Sequence, residues 1–201
     1  MLPVSLIFTS GAASGVNCYA AVLVLGLLGR VGHIAAIPAV LERPPVLAAA
    51  ALLYIGQFVA GKIPVLDSAW DVAHTALRPV AGGAIGVVMA QQAHASPAAA
   101  AAAAALGGGS ALASHAVKTG MRVGVNASPE PFSNIAASLL EDLGVAGLVS
   151  FAVFHPVPAA ILTAVVLAAG IALSALLAAR IRRAWQRRRD ARPRAAGGRQ
   201  S

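Results

Sequence analysis

Charge is scarce in this chain. Only 11% of its 201 residues are Asp, Glu, Lys or Arg, against about 25% in an ordinary soluble domain. Aromatic residues are scarce too, at 4%. Cys18 is the only cysteine, which excludes a disulfide scaffold. Apolar residues fill the chain instead: 58% are hydrophobic and the mean hydropathy is +0.77. These figures exclude a water-soluble globule and, over most of the length, disorder. They point to an integral membrane protein.

The net charge of +8 is confined to one end. Within residues 1–179 six cations (Arg30, Arg43, Lys62, Arg78, Lys118, Arg122) balance six acids (Glu42, Asp67, Asp71, Glu130, Glu141, Asp142). Residues 180–201 hold nine arginines against Asp190. Such a block after an apolar run reads as a cytoplasmic flank that sets orientation. Nucleic-acid binding would want aromatics interleaved with the bases. The tail has only Trp185, so no nucleic-acid partner is expected. The first apolar run has no positive leader segment and continues past any cleavage site, so it is expected to stay as a span.

A span needs about 20 mostly apolar residues, and about six segments qualify: 3–29, 45–61, 68–91, 97–121, 132–154 and 157–179. The sequence thus predicts an all-α membrane protein. Residues 1–179 form its transmembrane domain, and 180–201 form a basic cytoplasmic tail expected to be disordered. With six spans both termini lie inside the cell (inner, plasma) membrane. The outer turns at His94–Ser96 and His155-Pro156 carry no Lys or Arg, as the positive-inside rule wants, and the loop from Arg30 to Arg43 breaks it mildly. Asn126-Ala127-Ser128 matches a glycosylation acceptor but falls in a cytoplasmic loop, so it is read as chance. Arg-Val-Gly closes span one (Arg30–Gly32) and span four (Arg122–Gly124). Three spans per half would make the halves inverted repeats, a transporter pattern.

Small residues recur at spacings of four: Gly11 and Gly15, Gly82 and Gly86, Gly120 and Gly124. Close packing of helix backbones accounts for most of them. The glycines around Ser10–Gly15 and Gly107–Ser110 also allow a second reading, helices broken mid-membrane to expose backbone groups. Ser68 and Asp71 have capping-box spacing and would start span three after Pro64 ends span two. Asp71, His74 and Arg78 then fall at i, i+3 and i+7, on one helix face, as do His115, Lys118 and Arg122. The first set is either a capped helix start or a polar site at the membrane mouth. Glu141 and Asp142 lie about ten residues into span five, where an ionised side chain costs about 2.5–3.5 kcal/mol. They are either a structural ion pair or a coupling site for protons or ions. Five scattered histidines make no strong metal pair, so neither a metal nor a cofactor is expected.

Several of these residues resemble a bacterial membrane family called domain of unknown function 4126. The resemblance rests on Gly15-Val16-Asn17 with Tyr19, on Lys62-Ile63-Pro64 running to Asp67-Ser68 and Trp70-Asp71, and on His74-Thr75 with Arg78-Pro79. It continues through Gly108-Gly109, His115, Lys118 and Arg122, then Asn126, Ser128–Pro131, Ser133-Asn134, Ser138 and Glu141-Asp142. It covers about residues 8–160 and leaves out the arginine tail. Gln57 and Gly61 stand where that family usually has acids. If those acids carry function, this copy is altered. The resemblance implies architecture and no particular activity.

The leading expectation is a small secondary transporter or exporter of a solute or ion. Its polar centre would be Glu141, Asp142, His115, Lys118 and Arg122, with Asn17, Asp67, Asp71, His74 and Arg78 as further site residues. The alternative is a non-transporting membrane protein that binds lipid or a protein partner through its basic tail. No nucleophile–base arrangement suggests an enzyme. The lipid bilayer is a partner, and a homo-oligomer is left open.

Overall fold

The computed structural model describes residues 1–126 and 131–190. For residues 64, 65, 67, 68, 71, 123–126, 131–134 and 188–190 the backbone alone is described. The described residues form seven helices: α1 Val4–Gly32, α2 Pro44–Ala60, α3 Pro64–Ala73, α4 Leu77–Gln92, α5 Pro97–Asn126, α6 Pro131–Phe154 and α7 Pro156–Asp190. Five of them open on a proline, whose φ is already helical and whose missing N–H would have had no helical partner there. Two of the turns pass through a left-handed histidine: His33 after α1 (φ 49°) and His94 after α4 (φ 52°).

Four helices are long and apolar enough to cross a membrane: α1 and the apolar stretches of α5, α6 and α7. α2 is apolar but has 17 residues, about 25 Å of helix. The third predicted span, 68–91, is two helices instead of one. α3 ends at Ala73, His74–Ala76 turn, and α4 starts at Leu77. Pro79 is the cause. It offers no N–H to Thr75 and its ring would collide with the Thr75 carbonyl, so one straight helix cannot pass through both. α3 also opens at Pro64, so Ser68 lies inside the helix and is not its N-cap.

α1 is the axis of the bundle and packs against α2, α4, α5, α6 and α7. The glycines explain how closely. A Cβ on Gly82 would fall 2.6 Å from the Gly107 carbonyl, and one on Gly107 would meet the Gly82 carbonyl in return. Gly11 lies on Gly107 and Ser110, Gly15 on Ala111 and Ser114, and Gly86 on Ala103. α1, α4 and α5 therefore meet backbone to backbone around Gly107. α5 runs unbroken through Gly107–Gly109, so the packing reading holds there.

Polarity is distributed for lipid. Large apolar side chains of α2 and α7 face outward, among them Leu52, Ile55, Val165, Val166 and Leu176. Ser14, Asn17, Arg78, His115, Lys118 and Arg122 are buried among the helices. α7 continues as a helix past residue 179 to Asp190, with Arg180, Arg182, Arg183 and Arg187 exposed. Residues 191–201 lie outside the described ones.

Candidate functional site

α1 is interrupted at Asn17, the one residue inside it with non-helical dihedrals (φ −148°, ψ 97°). The break comes two residues after Gly15, outside the Ser10–Gly15 stretch where the sequence allowed one as a second reading. Asn is a poor residue for a helix interior and a good one for a helix start. Here Asn17 Oδ1 accepts from the Ala20 amide at 3.0 Å, the geometry of an N-cap on the second half of α1.

A break strands the last carbonyls of the first half and the first amides of the second. In a bundle core these groups need partners. Arg78 Nη1 donates to Gly15 O at 3.3 Å, and Lys118 Nζ donates to Val16 O at 3.3 Å. Two cations thus sit at the negative end of a half-helix, as its dipole favours. Asn17 Nδ2 donates to Asp142 Oδ1 at 2.9 Å, which brings a carboxylate to the start of the other half. Asp142 Oδ2 is buried and has no hydrogen-bond partner among the described residues.

Glu141, next in sequence, points about 100° away on α6. It accepts from Arg122 Nε at 2.8 Å and Nη2 at 3.0 Å, and Lys118 Nζ lies 3.2 Å from its Oε2. Lys118 and Arg122 stand one turn apart on α5, so one carboxylate bridges both. The two acids take different partners: Glu141 joins α6 to α5, and Asp142 joins α6 to α1.

Arg78 is fully buried. Its Nη1 also lies 2.9 Å from His115 Nδ1. A guanidinium only donates, so Nδ1 accepts, and Nε2 carries the proton toward Thr75 Oγ1 at 3.3 Å. Ser14 Oγ donates to Arg78 O at 3.3 Å. His74 belongs to a neighbouring group. Its Nδ1 donates to Trp70 O at 2.7 Å, its Nε2 accepts from Tyr19 Oη at 2.8 Å, and Trp70 stacks on its ring at 4.6 Å.

His74 and Arg78 consequently do not share one helix face; the turn at 74–76 sends them to different partners. The side chains of Asp67 and Asp71 lie outside the described residues. Asn17, Arg78, His115, Lys118, Arg122, Glu141 and Asp142 come together around the break. Ser14, from the Ser10–Gly15 stretch, and Thr75, named only in the family resemblance, join them through Arg78 and His115 without having been expected as site residues. Gln57 is buried with Oε1 unpartnered among the described residues, while Gly61 ends α2. Among the described residues no three His, Cys, Asp or Glu side chains converge to hold a metal ion.

Neither the curated proteins nor the solved structures contain a match to this chain. One family model does match, over residues 4–175, which takes in every helix around the broken α1 and most of α7. The chain belongs to the family described as domain of unknown function (DUF4126).

Proposed function

We propose that this protein is a secondary transporter or exporter of a small solute or ion, with its site at the α1 break. The observation that carries the reading is Asp142 Oδ2, buried and without a partner among the described residues, beside the half-helix ends at Asn17. Broken helices at the centre of a bundle present dipole ends and free backbone groups to a solute. Ionisable groups inside the membrane mark ion or proton paths more often than not. Glu141 with Lys118 and Arg122 then holds the frame, and Asp142 is the group that takes the proton or ion. The same reading places α1–α4 and α5–α7 as inverted halves in the bacterial inner membrane, with the C-terminus in the cytoplasm. Its support is the central packing of α1 on α5 and the Arg-Val-Gly that each carries.

The test is flux into proteoliposomes, screened over inorganic ions and small organic acids and amines, with an interior pH dye. At least one solute moves with the parent protein and not with Asp142→Asn, which still folds. Equal flux in parent and variant overturns the assignment of Asp142. The second reading, a tail-docked membrane protein, is favoured by the exposed arginines at the end of α7. It predicts no flux of any solute and loss of binding to anionic vesicles when residues 180–201 are removed.

A further inference from the structure

Most of α2 faces outward, but one stripe of it faces in. Ala50, Gln57 and Ala60 are its buried residues, and Tyr54 packs on the core between them. Gln57 is the polar member. It is 7% exposed, and its Oε1 has no hydrogen-bond partner among the described residues. An amide taken out of water is costly unless its oxygen is served, and neither the cap at Asn17 nor the ion pairs at Glu141 use it.

The helix pair places Gln57. α1 and α2 are joined through residues 33–43 and pack side by side in opposite directions, with Gly26 against Leu47. Ten residues back along α1 and ten onward along α2 lead to Val16 and Gln57, so Gln57 stands level with the break. Asp142 reaches the same level from α6, through Asn17. Its carboxylate is also in electrostatic reach of Tyr54 and Lys62, which bracket Gln57 in sequence. Two oxygens thus lie at the break without a donor among the described residues, Asp142 Oδ2 and Gln57 Oε1. As acceptors they cannot serve one another. Neighbouring donors are engaged elsewhere. Asn17 Nδ2 is given to Asp142 Oδ1, and Lys62 Nζ donates to Phe58 O at 3.3 Å and lies 3.2 Å from the Phe58 ring centre.

We infer that Asp142 Oδ2 and Gln57 Oε1 hold a monovalent alkali cation at the α1 break. A carboxylate and an amide carbonyl are hard oxygen ligands, which suit hard cations rather than soft metals. A divalent ion asks for more: Ca2+ takes about six to eight oxygens, several of them carboxylate, and Mg2+ keeps several waters. Here Asp142 alone supplies negative charge to the pair of oxygens, and Lys62 and Lys118 stand near it. Among the described residues no three His, Cys, Asp or Glu side chains converge. One positive charge is what this carboxylate can balance. Both oxygens are closed to solvent, which favours a small ion over an organic ammonium. The inference rests on the transport reading's assignment of Asp142, but it concerns equilibrium binding.

The experiment is thermal melting of the purified full chain in detergent, at fixed pH and ionic strength, with choline chloride replaced stepwise by lithium, sodium or potassium chloride. A cation that binds the folded state raises the melting temperature with its concentration. At least one of the three does so where choline does not. Gln57→Leu keeps the volume and removes the oxygen, and Asp142→Asn keeps the shape and removes the charge. Each weakens the cation about ten-fold or more. Calcium chloride is the divalent control and is outperformed by the alkali ion. No response of the parent to any alkali cation overturns the proposal. An undiminished response in folded Gln57→Leu overturns it too, as does a tighter response to calcium. Should Gln57→Leu not fold, Gln57→Ala and Asp142→Asn read the same loss. Alkali binding without flux of any solute ends the transport reading and leaves the cation site standing. Flux that depends on Asp142 without alkali binding keeps the transport reading and overturns the site.

Discussion

Asn17 Nδ2 donates to Asp142 Oδ1 at 2.9 Å, joining residues 125 positions apart. The other atom of the same amide, Oδ1, holds the Ala20 N–H. One side chain thus caps the second half of α1 and ties α6 to the break. Removing it strands the Ala20 amide and takes from Asp142 Oδ1 the donor that Asn17 supplies. Asn17→Ala is expected to lower stability by about 1–2 kcal/mol. Asn17→Asp keeps the cap but sets a second carboxylate against Asp142, and it is expected to be the worse of the two. Thermal melting in detergent ranks them, and a neutral Asn17→Ala would show that the break does not need its cap.

Glu141 takes two hydrogen bonds from Arg122 and one contact from Lys118. Arg122→Ala is therefore expected to destabilise more than Lys118→Ala. Stripping one partner from a buried pair costs about 3–5 kcal/mol, and less here because Lys118 remains beside the carboxylate. Arg122→Ala combined with Glu141→Gln should recover part of the loss. A double-mutant cycle reads the coupling, expected at about 0.5–3 kcal/mol. Strict additivity would remove the pair from the structural account.

The glycines sort by what surrounds them. Gly15→Ala and Gly107→Ala drive a Cβ into facing backbone, at the Ala111 and Gly82 carbonyls, and should lower the melting temperature sharply. At Gly109 a Cβ meets nothing within 4 Å. Gly109→Ala should be neutral or stabilising, by up to about 1 kcal/mol. A melting series over these three variants checks the order.

Topology is tested by labelling in a Cys18→Ala background. Val31 is exposed at the end of α1. Val31→Cys should react with an impermeant maleimide from outside intact cells, and a cysteine at position 200 should not. Labelling of position 200 from outside would reverse the orientation.

Class and composition were legible without a structure. With charge at 11% and the arginines gathered after residue 179, the apolar stretches can only satisfy their backbone as helices in lipid. Most span limits were readable for the same reason, since proline and apolar run length act locally. The split of span three was readable too, from Pro79, but the long apolar run around it hid the break. In the candidate site, Asn17, His115, Lys118, Arg122, Glu141 and Asp142 stand out because polar groups are costly in lipid.

Their partners were another matter. Glu141 and Asp142 are adjacent and chemically alike, and helix geometry says only that they diverge. That Glu141 meets Lys118 and Arg122 while Asp142 meets Asn17 depends on where α5 and α1 lie around α6. The glycines carry the same lesson. Gly15 and Gly144 are identical letters in apolar helices, yet one is pressed against Ala111 and the other faces open space. The chain by itself determined that these residues would be helical, membrane-embedded and obliged to find partners, because backbone and charge must be satisfied wherever water is absent. Only the tertiary structure decided which partner each one found and which glycines close a contact or face open space, because those depend on distances between helices far apart in the chain.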